Sequence, residues 1–327
     1  MASPAPATTP QSTLDLVRRV QRGECLRSRT GQYILEKFVM AGLVGCAMFS
    51  VGITFAIILV LFGESLRFFA LPEVSVSDFF LGLKWNPLLG SQKHFGIWPL
   101  ICGTFVVTMI AMLVALPLGL VSAIYLSEYA PRRVRSILKP VLEILAGIPT
   151  VVYGFFALGV ISPFLRDWLH IPGVERLNAL SAGIAVGILC IPVVCSLAED
   201  ALRAVPRALR DGALGLGGTK FDVAIKVVTP AALSGIISAF LLAIARATGE
   251  TMVVALAAGN LPQLTVDPRQ TMQTMTGYMA QMATGDVSNF GAEYYSMYAV
   301  AAVLFTITFT ITVIGQIVRK RYRETYK

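Results

Sequence analysis

The sequence predicts an all-α integral membrane protein with six transmembrane helices and with its N and C termini in the cytoplasm. The 327 residues are 55% hydrophobic and only 14% charged, and their mean hydropathy is +0.70. A soluble domain carries about 25% charged residues, so this composition excludes a soluble enzyme, a disordered chain and a free-standing nucleic-acid binder. Six apolar runs are long enough to cross the hydrocarbon core, which takes about 20 helical residues. Basic residues cluster in alternate segments between these runs.

Each of the six runs is predicted to be a helix, because only helices and closed barrels satisfy their backbone hydrogen bonds in lipid. The second run contains Pro99 and Pro117 and is longer than a span needs, which predicts an irregular first turn. The fifth contains two charges. In chain order the predicted spans are Phe38–Phe62, Phe95–Ser127, Ile144–Leu165, Ala179–Ala198, Ala231–Ala258 and Tyr294–Val318.

The net charge of +8 follows the topology rather than a nucleic-acid partner. Twenty Lys and Arg residues lie in the two terminal segments and in the loops after the second and fourth spans, and six lie in the other three loops. Because basic residues are retained in the cytoplasm, the sequence predicts that both termini are cytoplasmic. The arginines of the amino-terminal segment are explained by this rule, and binding of anionic membrane lipids is the alternative.

Three regions follow from this topology. Residues 1–37 form a basic cytoplasmic segment whose Pro-, Ala- and Thr-rich first 13 residues are expected to be disordered. Residues 38–318 form one membrane domain that includes a long cytoplasmic segment, 199–230. Residues 319–327 form a basic cytoplasmic tail.

The chain is predicted to contain no catalytic residue, no metal site and no cofactor. Its five cysteines and two histidines show no metal-ligand spacing. The stretch from Gly212 to Thr219 has the spacing of a nucleotide-binding loop, but Gly218 stands where the loop needs its lysine. If ATP drives this protein, a partner subunit must bind and hydrolyse it.

Residues 199–230 are amphipathic and contain Pro206, Gly217-Gly218 and Pro230. This pattern predicts a short helix across the cytoplasmic face, broken at the two glycines and ended by Pro230. A plain basic loop is the alternative from composition alone.

The spacing resembles the EAA-x3-G-x9-I-x-L-P signature of ABC-importer permeases, which favours the helix. Ala213, Gly217 and Pro230 match by identity, Asp211 and Val227 are conservative replacements, and Gly212 and Thr229 depart from the pattern. The resemblance implies that Asp211, Gly212, Ala213, Gly217, Val227 and Pro230 belong to a coupling helix that docks on an ATPase subunit.

The fifth span carries Arg246 and Glu250 within an apolar run. Charges at membrane depth cost about 2.5–3.5 kcal/mol each, and the spacing of four residues predicts that both lie on one helix face. One interpretation is a structural ion pair. The other is a site for an oxyanion, in which Arg246 supplies a planar fork of donors, Thr248 and Thr251 supply hydroxyls, and Glu250 neutralises Arg246 when the site is empty.

Longer strings carry a closer resemblance. Gly96–Thr104 and Pro117–Ala130 frame the second span, Leu142–Phe155 reads LEILAGIPTVVYGF, and Arg246–Met252 reads RATGETM. From about residue 38 to the end the chain resembles the membrane subunits of phosphate-specific transport (Pst) ABC importers, and the C-type (PstC) rather than the A-type. The resemblance implies type I ABC-importer permease architecture in a bacterial inner membrane. It also implies a PstA-type permease partner, two PstB-type ATPase copies and an external phosphate-binding protein.

The same resemblance implies a phosphate pathway through Arg246 and Glu250, continued by Thr150 and Tyr153 of the third span. Pro149 beside them is interpreted either as an ordinary helix kink or as a lining residue. Three other functions stay open: a permease for molybdate or sulfate, an ion-coupled secondary transporter, and a structural subunit without a pathway. No clear inverted repeat supports the secondary transporter, and the buried charges argue against a passive scaffold.

Overall fold

A computed structural model describes residues 30–87, 93–285 and 291–321. The predicted disorder of residues 1–13 and most of the basic tail lie outside the described residues. The chain divides into two units, Met1–Val60 and Leu61–Lys327, which are described separately. The described part of the first unit is helical. The second unit holds the rest of the helices and a two-residue antiparallel ribbon in which Trp85 pairs with Phe95 and Asn86 with His94.

The described ranges contain the following elements. The helices are α1 Thr30–Phe69, α2 Val76–Leu81, α3 Trp98–Ile124, α4 Arg132–Gly147, α5 Thr150–Phe156, α6 Ala179–Arg203, α7 Arg207–Gly215, α8 Lys220–Asp222, α9 Thr229–Ala231, α10 Leu233–Thr248, α11 Met252–Ala257, α12 Met275–Thr284 and α13 Ala292–Arg321, and the ribbon is β1 Trp85–Asn86 with β2 His94–Phe95. Four π-helical segments continue α3, α5 and α8, at Tyr125–Tyr129, Ala157–Ile161, Phe164–Trp168 and Val223–Val228.

Five helical stretches are long and apolar enough to span a membrane, and a sixth span is obtained if two helices joined by a 72° bend are counted as one. The first, second, fourth and sixth predicted spans are confirmed as helices within α1, α3, α6 and α13. The irregular start of the second span is also confirmed, because Phe95 lies in β2 and the helix begins at Trp98 with Pro99 in its first turn.

The predicted start of the third span at Ile144 is wrong. Ile144 belongs to α4, an amphipathic helix that ends at Gly147. Ile148 and Pro149 then run in extended backbone, with ψ of 131° and 135°, and the spanning helix begins at Thr150. A residue before proline is driven out of the helical region by the proline ring. Pro149 therefore separates two helices, and its interpretation as a kink inside one helix is wrong.

The fifth predicted span, Ala231–Ala258, is not one helix. α10 has 16 residues and ends at Thr248, and α11 starts at Met252. Sixteen residues reach about 24 Å, less than the roughly 30 Å of a hydrocarbon core. The prediction that Arg246 and Glu250 share one helix face is therefore wrong, because the helix ends two residues before Glu250.

The centre of the second unit is the close packing of α3 against α6. Gly183 and Gly187 of α6 face Ile110 and Val114 of α3, and a Cβ on Gly187 would lie 2.8 Å from the Val114 Cβ and 3.0 Å from the Ala111 carbonyl oxygen. Lipid tails are as apolar as leucine, so small residues that let backbones approach are what hold membrane helices together. This contact fixes α3, which lines the site described below.

We expect Gly187→Ala to lower the free energy of unfolding by about 1–3 kcal/mol, because the added methyl group overpacks this contact. Gly45→Ala in α1 is the matched control, since nothing lies within 4 Å of a Cβ there. Thermal unfolding of both variants in the same detergent checks this. Equal midpoints would show that the α3–α6 contact tolerates a side chain.

Candidate functional site

The break between α10 and α11 positions the Glu250 carboxylate. The Gly249 and Glu250 amides still bond back to the Ala245 and Ala247 carbonyl oxygens, at 3.2 and 3.3 Å. The Val253 amide donates to Glu250 Oε1 at 3.4 Å, so the carboxylate accepts a hydrogen bond from the first turn of α11. Anionic acceptors are favoured at this end of a helix. Glu250 is only 8% exposed.

Glu250 opens onto a narrow crevice that is rich in threonine. The crevice lies between α3, the break and the start of α12, and it is too tight in this structure to hold a water molecule. Its polar lining consists of Thr104, Thr108, Thr248, Thr274, Thr276 and Glu250.

Four of these threonines have hydroxyl groups that already take part in hydrogen bonds. Thr104 and Thr248 each donate to the carbonyl four residues back in their own helix, at 2.8 Å. Thr276 donates to the Glu250 carbonyl oxygen at 2.6 Å, and Thr274 lies 3.2 Å from the Thr276 hydroxyl. Thr108 differs, because its Oγ1 is buried and has no hydrogen-bond partner within the described part of the chain. A buried hydroxyl without a partner is rare and needs an explanation.

Sequence reasoning missed Thr104, Thr108, Thr274 and Thr276. The usable signal was the spacing of Thr104 and Thr108, which places two hydroxyls on one face of an apolar span. Thr274 and Thr276 gave no comparable signal, because they lie at the start of α12, which contacts α3 only in the folded protein. The Met275 amide donates to Thr104 Oγ1 at 3.0 Å across this junction.

Arg246 is half-buried in the last turn of α10. Its side chain makes no hydrogen bond or ion pair with any residue that the structure describes. The predicted ion pair between Arg246 and Glu250 is not formed: among the described residues, the Glu250 carboxylate accepts from the Val253 amide.

The other predicted pathway residues lie apart from the crevice lining. Tyr153 is buried, and its hydroxyl donates to the Leu145 carbonyl oxygen at 3.0 Å, which bridges the break between α4 and α5. Thr150 is half-buried at the first position of α5. Thr251 donates to the Gly249 carbonyl oxygen at 3.2 Å. Of the six residues predicted for the pathway, the structure brings Glu250 and Thr248 together in the crevice.

A larger groove adjoins the crevice. Its volume is about 540 Å³, and α3, α10 and α13 form its walls. The wall is apolar except at Thr104, Thr108 and Thr248, which also line the crevice. The hydroxyl-bearing side of α3 therefore lies between the buried Glu250 and an open groove.

The cytoplasmic segment forms a helix, a glycine turn and a second helical stretch. α7 begins directly after Pro206, and Gly217 has a φ of +85°, which an L side chain rarely adopts. The predicted break at the glycines is confirmed. The predicted end at Pro230 is one residue early, because α9 continues to Ala231 before the 72° bend.

The second stretch is anchored at its start by Thr219 and Asp222. The two residues form a capping box, in which each side chain bonds the backbone of the other. Hydrogen bonds from Lys226 and then from Thr219 lower the pKa of the Asp222 carboxyl to about 2.

The predicted coupling residues differ in exposure. Asp211, Gly212, Gly217 and Pro230 are exposed, whereas Ala213 and Val227 are half-buried. Leu216 is 92% and Phe221 64% exposed beside the turn. An apolar tip of this kind on a cytoplasmic segment has the character of a docking surface.

With five spanning helices, or six if the bent pair is counted as one, the described residues have the architecture of a multi-pass membrane protein. Residues 115–324 match the family described as "Binding-protein-dependent transport system inner membrane component", and the chain belongs to this family. It is a permease subunit of an ABC importer in the inner membrane, and permeases of this kind act with an ATPase, another permease and a substrate-binding protein.

Relatives match most of the chain. A probable ABC transporter permease, YqgH of Bacillus subtilis, is 33% identical over 81% of this chain and 84% of its own length. The phosphate transport system permease PstC of Mesorhizobium japonicum is 32% identical over 73% and 77%. The probable PstC of Methanocaldococcus jannaschii is 32% identical over 85% and 92%.

Solved structures share the fold at low identity. A bacterial ABC transporter involved in importing the acidic polysaccharide alginate aligns with a TM-score of 0.59 at 14% identity, over 89% of this chain and 100% of that one. The MetNI methionine ABC transporter, in inward-facing form, aligns with a TM-score of 0.51 at 18% identity, over 70% and 95%. These likenesses confirm the predicted type I permease fold.

We expect Gly217→Ala to destabilise the turn after α7, because an L residue in this left-handed conformation costs about 1–2 kcal/mol. Hydrogen exchange should become faster at the Leu216, Gly217 and Gly218 amides, which bond back to α7 at 3.0–3.1 Å. Gly215→Ala is the control, since Gly215 has no positive φ and no atom within 4 Å of a Cβ. Equal exchange in the two variants would contradict the strain argument.

Proposed function

We propose that this chain is the PstC-type permease of an ATP-driven importer of inorganic phosphate and forms half of the translocation pathway. The observation that carries this proposal is the break in the fifth span, beside which the buried Glu250 carboxylate and the Thr108 hydroxyl line one crevice. Among the described residues the Thr108 hydroxyl has no partner, and Arg246, four residues before Glu250, forms no ion pair. The relatives named PstC, each 32% identical over most of the chain, support the choice of cargo.

The chemistry of the crevice favours phosphate over sulfate or molybdate. A glutamate carboxylate only accepts hydrogen bonds, whereas an unpaired threonine hydroxyl has a proton to donate. Phosphate keeps a proton at neutral pH, so it can donate to Glu250 while accepting from Thr108. Sulfate and molybdate are fully ionised at neutral pH, so they have no proton to donate to Glu250, and their oxygens would face its carboxylate as acceptor against acceptor.

Arg246 supplies the positive charge in this proposal. Its guanidinium has five donors in a planar fork and makes no bond within the described residues, so it is free to bind phosphate oxygens. Thr248, Thr251, Thr150 and Tyr153 stay proposed as further pathway residues. Because the crevice is closed in this structure, phosphate would enter it only after α3 and α11 separate.

The remaining subunits follow from the same proposal. A PstA-type permease would complete the pathway, and a phosphate-binding protein would deliver the cargo from outside. Two PstB-type ATPase copies would bind ATP, so this chain itself would need no cofactor. The exposed turn beside Leu216 and Phe221, together with Asp211 and Gly212, would be the docking site of one ATPase copy.

We expect Arg246→Gln to reduce uptake of ³²P-phosphate by roughly tenfold to hundredfold, the worth of a hydrogen bond to a charged group. The assay uses cells that lack this chain, complemented at equal membrane levels. Arg166→Gln is the control, because Arg166 is exposed and pairs with the adjacent Asp167. Uptake restored by both variants would refute the role of Arg246. If wild type restores no uptake with its partners present, phosphate is the wrong cargo.

We expect Thr108→Val to reduce phosphate uptake about tenfold while leaving thermal stability unchanged or raised. Valine has the same shape and removes a hydroxyl that has no protein partner, so a purely structural role predicts no loss of uptake. Thr306→Val is the control, since its hydroxyl bonds the Ala302 carbonyl oxygen of its own helix at 2.8 Å.

Competition in the same cells tests the selectivity argument. Excess unlabelled arsenate, which also keeps a proton, should reduce uptake of labelled phosphate, and sulfate or molybdate should not. Glu250→Gln should reduce uptake, because an amide is a weaker acceptor and brings a competing donor. Unchanged rate and affinity in Glu250→Gln would remove Glu250 from the pathway.

A further inference from the structure

A half-buried ion pair joins α7, in the proposed coupling segment, to the segment that continues the crevice-lining helix α3. Arg210 of α7 donates through Nη2 to Glu128 Oε1 at 3.0 Å, and Glu128 lies in the π-helical segment that continues α3. The same Nη2 donates to the Leu202 carbonyl oxygen at the end of α6, at 2.8 Å. Ser127 Oγ donates to the same carboxylate oxygen at 2.8 Å. One guanidinium therefore connects three separate elements.

Stability alone does not explain this pair. The side chains of Arg210 and Glu128 are 20% and 13% exposed, and the buried Arg210 Nε has no hydrogen-bond partner within the described residues. Desolvating two charges often costs more than their attraction returns, so a buried pair is weak evidence for stability. What distinguishes this arginine is its position, since it connects α6, α7 and the segment that continues α3.

The position of the pair suggests what that role is. Leu216 and Phe221 expose an apolar surface beside the turn that follows α7, where we propose that the ATPase docks. Glu128, in the segment that continues α3, lies 20 residues after Thr108, about 30 Å along the helical path. Arg210 therefore links the proposed ATPase contact to the helix that carries Thr104 and Thr108.

The π-helical backbone at Tyr125–Tyr129 fits such a link. A π-helical turn inside or beside an α-helix is uncommon and is often found at functional sites. The Ala130 amide bonds back to the Tyr125 carbonyl oxygen at 2.8 Å in the wider π pattern. Reversion of this turn to an α-helix would rotate Glu128 relative to α3 and so move the carboxylate to which Arg210 donates.

We propose that the Arg210–Glu128 pair is the link through which movement of the coupling helix is transmitted to α3, so that ATP hydrolysis is coupled to opening of the pathway. This inference rests on the proposed docking of the ATPase on α7. It assigns Arg210 and Glu128 as positioning residues, which contact neither ATP nor the transported anion. Two packed elements joined by one bidirectional contact are a common means of passing rigid-body motion between subunits.

The experiment uses the complete importer in proteoliposomes, with phosphate uptake and ATP hydrolysis measured together. In Glu128→Gln and Arg210→Gln, the number of phosphate ions moved per ATP should fall about fivefold or more, the range of ordinary allosteric coupling. Hydrolysis without phosphate should rise by a similar factor, because the ATPase is no longer restrained by the closed pathway. Exchange of the charges in the double variant Glu128→Arg/Arg210→Glu should restore part of the coupling.

Lys226→Gln is the matched control. Lys226 pairs with Asp222 four residues away in the same cytoplasmic segment, is exposed and connects no separate elements. Its ratio of phosphate to ATP should equal that of wild type. If the glutamine variants do not assemble with their partners, Arg210→Lys decides. It keeps the charge on a side chain one bond shorter, which cannot hold both Glu128 and the Leu202 carbonyl oxygen at their present distances, so partial uncoupling is expected.

Two outcomes separate this inference from the proposed function. The link is overturned if assembled Glu128→Gln and Arg210→Lys complexes keep the wild-type ratio of phosphate moved to ATP hydrolysed and the wild-type basal hydrolysis. That result would leave the phosphate proposal intact. If wild-type importer takes up no phosphate, the cargo proposal fails. In that case basal ATP hydrolysis still tests the link, because that readout needs no cargo, and equal rates in wild type and variants would overturn it.

Discussion

The close approach of α3 and α6 is the constraint on which the rest of the second unit depends. In lipid no hydrophobic force drives helices together, so their association depends on van der Waals contact between backbones. Gly183 and Gly187 of α6 provide that contact against Ile110 and Val114 of α3. With α3 held in this way, its threonines face the break in the fifth span, and its cytoplasmic end meets Arg210.

Two carboxylates on which the proposals depend lie at interruptions of regular helices. Glu250 lies between α10 and α11 and accepts the Val253 amide. Glu128 lies in a π-helical segment. A buried charge needs donors, and a regular helix uses its own amides, so breaks supply the unused backbone groups. The same breaks allow the helix on each side to move, which is what a transport cycle requires.

A third carboxylate is buried among positively charged side chains. Glu199, near the end of α6, is 2% exposed and contacts Arg135, Lys139 and Arg203. Arg135 and Lys139 belong to α4, the amphipathic helix that sequence reasoning had partly assigned to the third span. Arg135 and Lys139 therefore hold α4 beside α6 through this carboxylate, and Arg203 contacts it from within α6. Glu250, in contrast, has no cation within 4 Å among the described residues.

The sequence by itself determined the fold class, the order of the spans, the glycine turn after α7 and the importer family, because these depend on hydropathy, local backbone preference and motif spacing. It identified Glu250 as unusual, since charge in an apolar run is visible without a structure. It did not reveal the break that separates Glu250 from Arg246, the start of the third span at Thr150, or the crevice. Thr108, Thr274 and Thr276 come together only when the connection before α12 packs on α3. Contacts between residues distant in sequence leave no periodic pattern, so only the tertiary structure decided them.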